Sequence, residues 1–401
     1  MTRNETQDQT YDVAVVGARC AGSATARLLA ARGLRVVVLD RSEPTRDVFS
    51  THGIVRPGVV QLHRWGLLDA VIDSGAPAVR ELTVGDPEWE RTLPVKARAG
   101  VDRLVAPRRY VLDDLLAGAA VEAGAELRTD VSVTELLRDG ERVVGVAGRT
   151  RGGDPVRVRA RHVVGADGLR SSVARLVGAE VTASCTTDLA AQYAYVEGGA
   201  WRGYEFHAGH DAYSGVFPTH DDAGCVFVMR PAHLLDERPA RGEDRGRAFL
   251  DLLGEAAPRL AARVGDDGRV VGRVRSGSRL PNHRRRAHGP GWSLVGDAGY
   301  HRDPITGHGI SDAFNHAELL AEALGGWLLG GRPERAALAE YEAERDAVSA
   351  DLFRITRDLA TLPHGARFAE LQSELGAALD READELAARP TPPGLAEPVA
   401  A

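Results

Sequence analysis

Three stretches of the chain are apolar without alternation and rich in β-branched residues: 11–16, 35–39 and 292–295. Continuous runs of this kind suit strands buried on both faces of a parallel sheet. Between the first two, residues 21–31 carry Ala and Leu at helical spacing, and Gly33 closes the run as a C-cap. That makes a βαβ unit. The pattern changes over residues 189–228, where Tyr193, Tyr195, Tyr204, Phe206, Tyr213, Phe217, Val226 and Val228 are interleaved with polar residues. Period-two alternation broken by Gly and Asp predicts an antiparallel sheet with one accessible face. Helical spacing recurs in 51–70, 110–123, 247–264 and 309–329, and predominates beyond. Residues 81–97 have strand character, and 126–161 read as strands around turns at Asp139-Gly140 and Gly152-Gly153. No internal repeat is visible. The Pro/Ala-rich tail after residue 387 is expected to fray. The pattern therefore predicts an α/β protein: a doubly wound parallel sheet, an inserted antiparallel sheet and a C-terminal helical region.

Composition narrows the function classes. Lys+Arg 50 against Asp+Glu 57 gives a formal charge of -7, which argues against a nucleic-acid binder and against a polybasic membrane contact. The one basic run, His283-Arg284-Arg285-Arg286, reads as a solvated loop, with a phosphate contact as the other reading. No apolar run approaches the roughly 20 residues needed to span a bilayer. The polar leader, residues 1–10, resembles neither a signal nor a transit peptide. Cys20, Cys185 and Cys225 are odd in number and far apart, so they suggest no disulfide framework and no metal pair. A cytoplasmic location is the simplest expectation.

Three segments carry chemistry. Gly17-Ala18-Arg19-Cys20-Ala21-Gly22 lies between the first strand and its helix. In the dinucleotide fingerprint the first glycine makes the tight turn, the middle one admits the pyrophosphate, and the last lets helix pack on strand. Arg19 occupies the middle position here, so the pyrophosphate sits further out or pairs with Arg19. Asp40, followed by Arg41, ends the second strand, where an acid holds ribose hydroxyls. The second segment is Gly165-Ala166-Asp167-Gly168; the third is Gly296-Asp297-Ala298 followed by Asp303-Pro304-Ile305-Thr306-Gly307-His308-Gly309-Ile310. Each places an aspartate just beyond a buried strand, where open α/β sheets bind ligands.

In this order and spacing, the three segments make the chain resemble the p-hydroxybenzoate-hydroxylase-type flavoproteins, over residues 11–362. The resemblance implies non-covalent FAD, held by a domain of residues 1–75, 100–180 and 282–330. A substrate domain would comprise 76–99 and 181–281, and a helical region 331–401. Asp167-Gly168 matches a motif implicated in FAD and NAD(P)H binding, and Asp297 an aspartate that holds the ribityl chain. Arg56, in Arg56-Pro57-Gly58, and Arg109 match arginines turned toward the flavin. With one fingerprint only, NAD(P)H is expected to dock transiently.

The implied reaction is hydroxylation or epoxidation of a small aromatic or polycyclic metabolite, with dioxygen activated at flavin C4a. The loop through Pro304, Gly307 and His308 to Gly309 and Ile310 would present helix N–H groups to the flavin pyrimidine edge. His301 is placed to deprotonate or orient a phenol-like substrate. Tyr193, Tyr204, His207, Tyr213, Gly215, Phe217 and Arg230 are expected substrate contacts on the accessible sheet face. Monomer and homodimer both remain open.

Three alternatives stand beside this. The 303–310 phrase and Tyr213-Ser214-Gly215-Val216-Phe217-Pro218 are also similar to geranylgeranyl-reductase-type flavoproteins, with Gly215 where those carry tryptophan. That glycine is expected to leave a wider space beside Tyr213 and Phe217. Flavin-dependent halogenases share the general pattern but need a lysine, and Lys96, the only lysine in the chain, reads as a solvated strand-end charge. A non-catalytic FAD-binding partner protein is the third.

Overall fold

The computed structural model describes residues 10–43, 47–236, 244–265 and 267–396. The polar leader through residue 9 and the tail from residue 397 lie outside the described residues. Among the described residues no helix is long and apolar enough to cross a membrane.

The chain opens with β1 (Thr10–Val16), α1 (Cys20–Ala30) and β2 (Val36–Leu39). The helical stretch predicted over 51–70 is broken in two, α2 (Arg56–Arg64) and α3 (Leu68–Asp73), because Gly66 turns the backbone with φ 68°. A hairpin, β3 (Glu81–Gly85) and β4 (Glu90–Pro94), precedes α4 (Arg109–Glu122). Then follow β5 (Glu126–Arg128), β6 (Val131–Asp139), β7 (Arg142–Thr150), β8 (Pro155–Gly165) and α5 (Ser172–Val177). The central part runs through β9 (Val181–Thr186), β10 (Leu189–Glu197), β11 (Tyr204–Gly209), β12 (Ala212–Pro218), β13 (Gly224–Pro231) and α6 (Ala232–Asp236). Pro258 divides the next helical stretch into α7 (Arg245–Ala256) and α8 (Pro258–Ala261). The last strands are β14 (Arg269–Ser278), β15 (Pro281–Arg285), β16 (His288–Gly289), β17 (Trp292–Leu294) and β18 (Tyr300–His301). Helices α9 (Gly309–Leu328), α10 (Glu334–Leu359) and α11 (Ala366–Ala388) complete the chain.

The three apolar runs of the sequence become neighbours. In the first sheet, β17, β8, β1, β2 and β5 lie side by side and parallel. Val13, Val15, Val36 and Val38 point to one face and pack on α1, α4 and α9. Ala14, Val16, Val37 and Leu39 point to the other face, covered by α5 and by Val143 and Val146 of the β6–β7–β8 meander. Both faces are thus dry, which is why the runs do not alternate.

The alternating region forms a second sheet in the order β14-β10-β13-β12-β11-β3-β4, antiparallel except for β11 beside β3. One face carries Tyr193, Tyr195, Tyr204, Tyr213, Phe217 and Phe227 toward the main core. The opposite face, with Val196, Val216, Val226 and Val228, packs on Phe249 and Leu253 of α7 and Leu260 of α8.

Two expectations are corrected. The basic run is strand, not solvated loop: β15 pairs with β9 and β18, His283 is buried, and Arg285 Nη1 donates to the Ala298 carbonyl at 2.6 Å. The segment after α11 is pinned rather than frayed. Arg64 Nη2 donates to the Pro390 carbonyl at 2.7 Å and Arg389 Nη1 to Asn315 Oδ1 at 2.9 Å.

Burial of histidines sets an acid limit on the fold. His316 on α9 is buried, with Nε2 3.1 Å from Ser349 Oγ, and desolvation holds its pKa down to about 3. An unfolded histidine titrates near 6.5, so between those values the unfolded chain binds the extra proton. Stability is therefore present above pH 6.5 and lost as pH falls toward 3, by up to about 1.4 kcal/mol per pH unit from this group. Urea unfolding at pH 7 and 4.5 is expected to show a smaller gap in His316→Gln than in the parent chain. An unchanged gap would remove His316 from the account.

Candidate functional site

The strand ends of the first sheet form a cradle, and its tightest point is the turn between β1 and α1. Gly17 has φ 108°, and a Cβ there would lie 2.5 Å from the Ala166 carbonyl oxygen. A Cβ on Gly22 would lie 1.8 Å from the Gly17 carbonyl oxygen. Both glycines are therefore required for β1, α1 and the end of β8 to meet. Arg19 is the N-cap of α1, without a side-chain cap bond and with no acid in the first turn. The first-turn N–H groups, Cys20 and Ala21 among them, have no helix carbonyl to bond and favour an anion. Asp40 lies over the same turn: its Oδ2 accepts from Ala18 N at 2.8 Å and its Oδ1 from Ser42 N at 2.9 Å. Arg41 is exposed beside it.

Arg109, at the start of α4, is buried next to this turn. Its Nη2 donates to both carboxylate oxygens of Asp113 at 2.9 and 3.1 Å. Asp113 also accepts from Cys20 Sγ at 3.4 Å and lies 4.0 Å from Arg19 Nε. Burial pushes the Cys20 thiol up to about 12, so it is a neutral donor here and not a nucleophile. Asp113 was not singled out from the sequence, although its i,i+4 spacing from Arg109 was a readable signal.

Asp297 follows β17 on a single 3₁₀ turn whose Gly296 packs so close to α1 that a Cβ there would lie 2.8 Å from Ala21 Cβ. Its carboxylate has no hydrogen-bond or ion partner among the described residues. Burial raises its pKa, against the opposing pull of nearby His301 and Arg109. A half-buried carboxylate without a partner, between the α1 turn and the α9 turn, is the cradle's unfilled acceptor.

The loop to α9 is clamped from behind. Asp303 N donates to Asn282 Oδ1 at 2.7 Å, and Asp303 accepts from Thr187 Oγ1 at 3.0 Å and from Ile305 N at 3.1 Å. Pro304 begins a 3₁₀ turn that ends at Gly307, φ 60°. A Cβ on Gly307 or Gly309 would meet nothing within 4 Å, so the cradle is open there. The first acid of α9, Asp312, is held by buried Arg302 at 2.9 and 3.0 Å. The N–H groups of Gly309 and Ile310 are left at the helix end. The side chain of His308 is buried in the other direction, with Nε2 2.9 Å from Glu382 of α11; only its backbone belongs to the cradle. His301 Nδ1 lies 2.5 Å from the Pro281 carbonyl. A carbonyl accepts only, so Nδ1 carries the proton and Nε2 is the basic nitrogen.

Two expected cofactor residues are engaged locally. Asp167 caps α5, accepting from Ser172 N at 2.6 Å, Val173 N at 3.1 Å and Ser171 Oγ at 2.5 Å, while Gly168 beside it has φ 78° and open space. Arg56 donates to the Lys96 carbonyl at 2.6 Å and lies 3.4 Å from Asp380 of α11.

The expected substrate residues divide by strand parity. Tyr213, Gly215 and Phe217 share the aromatic face with Tyr193 and Tyr204. His207 and Arg230 lie on the other face, His207 3.4 Å from Glu205 and Arg230 3.7 Å from Glu255 of α7, which removes them from the cradle side. Tyr193 and Tyr204 bolt loops to the sheet: Tyr193 Oη donates to the Val48 carbonyl at 2.8 Å, and Tyr204 Oη to the Val105 carbonyl at 2.6 Å. The space expected beside Gly215 is filled, since a Cβ there would lie 2.7 Å from the Phe227 ring and 2.2 Å from the Glu205 carbonyl oxygen. Phe206 and Phe227, absent from the expected set, complete the cluster with ring centroids 5.9 Å (Phe206) and 6.0 Å (Phe227) from Tyr213.

Comparisons with known proteins identify the family. The family profile described as "FAD binding domain" matches residues 10–356. The digeranylgeranylglycerophospholipid reductase of Methanocella arvoryzae is 28% identical over 359 residues, covering 85% of this chain and 84% of that protein. The 12-dehydrotetracycline 5-monooxygenase/anhydrotetracycline 6-monooxygenase of Streptomyces rimosus subsp. rimosus is 30% identical over 376 residues, 88% of this chain and 70% of that protein. Among solved structures, the myxobacterial chondrochloren halogenase CndH, an FAD-dependent halogenase, superposes with TM-score 0.78 at 22% identity. It covers 97% of this chain and 100% of that one, a likeness of fold.

Proposed function

This chain belongs to the FAD-binding-domain family, and from that premise we propose that it is an FAD-dependent, NAD(P)H-using monooxygenase acting on an aromatic, multi-ring metabolite. It is an FAD-dependent oxidoreductase. The observation that carries the cofactor assignment is Asp297, an unpartnered acceptor between the α1 turn and the open start of α9. A ribityl hydroxyl fits that carboxylate, and the pyrophosphate fits the acid-free α1 N-terminus with Arg19 and Arg109 near it. When bound and reduced by NAD(P)H, the flavin supplies the oxygen-activating step.

The chain's own residues do the rest. The N–H groups of Gly309 and Ile310, at the positive end of α9, would favour negative charge on a flavin bound there by about 0.3–1 kcal/mol, up to ~2 when partly buried. The aromatic face from Tyr213 to Phe227 would supply the dry wall that keeps water from a substrate bound against it. His301, with its proton fixed on Nδ1, offers Nε2 to take a proton from a substrate hydroxyl or to orient it. The substrate class rests on the tetracycline-acting relative at 30% identity. A reductase is the second reading, carried by the 28% identical relative and by residues 213–218.

The purified protein is expected to be yellow and to release FAD on denaturation. Release of FMN instead would contradict the adenosine-side role of Asp40. Lys96 is exposed just past the β3–β4 hairpin, and among the described residues its ammonium makes no ion pair. Halide should therefore give no halogenated product, and Lys96→Ala should leave NAD(P)H oxidation within about twofold, as for an unpaired surface charge. Halide incorporation lost in Lys96→Ala would replace the monooxygenase reading with a halogenase.

A further inference from the structure

The loop before α2 holds a residue in an unfavourable conformation. His52 has φ 63°, a region that non-glycine residues rarely occupy and that costs about 1–3 kcal/mol. Gly53 follows it under the ring of Phe217, where a Cβ would lie 2.8 Å from the ring edge. The His52 ring is fully buried against the aromatic face of the second sheet. Its Nε2 hydrogen-bonds to Tyr195 Oη, whereas its Nδ1 is sealed from solvent without a hydrogen-bond partner.

The groups beside Nε2 fix where the His52 proton sits. Asp47 Oδ1 lies 3.9 Å from His52 Nε2, and its carboxylate is held by Arg108 Nε at 2.9 Å, by Arg108 Nη2, and by Arg109 N at 3.1 Å. Arg108 lies 3.6 Å from the Tyr195 ring centroid. Paired with Arg108, Asp47 is ionised, and its negative charge on the Nε2 side of the ring favours the imidazole proton on that nitrogen. The Tyr195 oxygen then accepts from His52, which places the proton on Nε2 and leaves Nδ1 a bare lone pair. Desolvation keeps the ring neutral, with its pKa held down to about 3. Through Arg109, the same network touches the cradle that holds Asp113 and Asp297.

We propose that His52 is a specificity-determining residue that presents its Nδ1 lone pair to a ring hydroxyl of the substrate, so that the enzyme takes phenolic or enolic ring systems and rejects their ethers. This rests on the monooxygenase reading and deepens it. An acceptor needs a donor, and an ether or a carbonyl offers none. Contact with the sealed Nδ1 requires the loop to move aside on substrate binding. That loop is tied to the sheet through the hydroxyls of Tyr193 and Tyr195 and carries the half-exposed ring of Phe49 against Tyr193, at 5.5 Å.

The test titrates oxidised holoenzyme with 1-naphthol and with 1-methoxynaphthalene, following the flavin absorbance. The naphthol should bind about tenfold more tightly, the worth of one hydrogen bond. His52→Phe should erase the preference with FAD content unchanged. Tyr195→Phe, which frees the imidazole to carry its proton on either nitrogen, should narrow it. Nitrogen NMR of the holoenzyme, assigned with His52→Asn, reads the tautomer directly and should find Nδ1 unprotonated at neutral pH. A protonated Nδ1, or an equal response to both compounds, including none to either, overturns the proposal. Absence of bound FAD, or turnover without oxygen incorporation, would sink the monooxygenase reading instead, and the NMR result stands apart from both.

Discussion

Gly22→Ala is expected to lose FAD affinity by about a hundredfold. The new methyl would lie 1.8 Å from the Gly17 carbonyl oxygen and 3.2 Å from Ala166 Cβ. The first of these neighbours is backbone and cannot rotate aside. Helix α1 must back away from β1, and overpacking of this kind costs typically 1–3 kcal/mol, occasionally more. The displaced element is the helix end that receives the pyrophosphate, so roughly 3 kcal/mol is lost from binding, which is the hundredfold. Gly118 on α4 is the control: a Cβ there meets nothing within 4 Å, and Ala in a helix interior is favoured by roughly 0.5–1 kcal/mol. FAD titration by fluorescence quenching, alongside thermal unfolding, separates the two. If Gly22→Ala binds FAD within about threefold of the parent, a range inside the scatter of single contacts, the cradle is misplaced.

Asp297→Ala should weaken FAD retention by one to two orders of magnitude while the apo-protein stays folded. A hydrogen bond to a carboxylate is worth about 1.5–3 kcal/mol, and the carboxylate has no other partner that its removal would orphan. Its pH dependence carries a sign. Burial raises the carboxyl pKa in the apo-protein, so the proton is retained to higher pH than in an ordinary aspartate. A ribityl hydroxyl donates to the ionised form, so binding must expel that proton at acid pH. FAD affinity should therefore fall as pH drops through the raised pKa, and Asp297→Asn should flatten that fall. An unchanged FAD affinity in folded Asp297→Ala would detach this residue from the cofactor.

The cradle was legible because it depends on short-range constraints. Gly17, Gly22, Asp40 and Asp297 each follow a buried strand, and their roles are set by the turn that follows. Arg109 and Asp113 were within reach of helical spacing. The aromatic face was legible only in part. Strand alternation shows that two faces exist, but which face meets the core depends on what packs on the other. Helices α7 and α8 claimed Val226, Val228, His207 and Arg230, and Cys225, Phe227 and Met229 turned inward. Gly215 misled for a related reason: an empty side chain on one strand was filled from the next, by Phe227. His52 had no sequence signal at all, since it sits in an aperiodic loop and its partner Tyr195 is distant in the chain. His308 shows that a residue within a motif can contribute backbone alone while its side chain serves α11, and the side chain of Arg56 is likewise drawn toward α11.

The central claim is that this FAD-binding chain uses dioxygen as a substrate and transfers one of its atoms. Turnover of a phenolic polycycle with NAD(P)H under labelled dioxygen tests it most directly. The account predicts a product that carries one atom of the label and does not form without air. An unlabelled product two hydrogens heavier, formed equally well under nitrogen, would contradict it and establish a reductase.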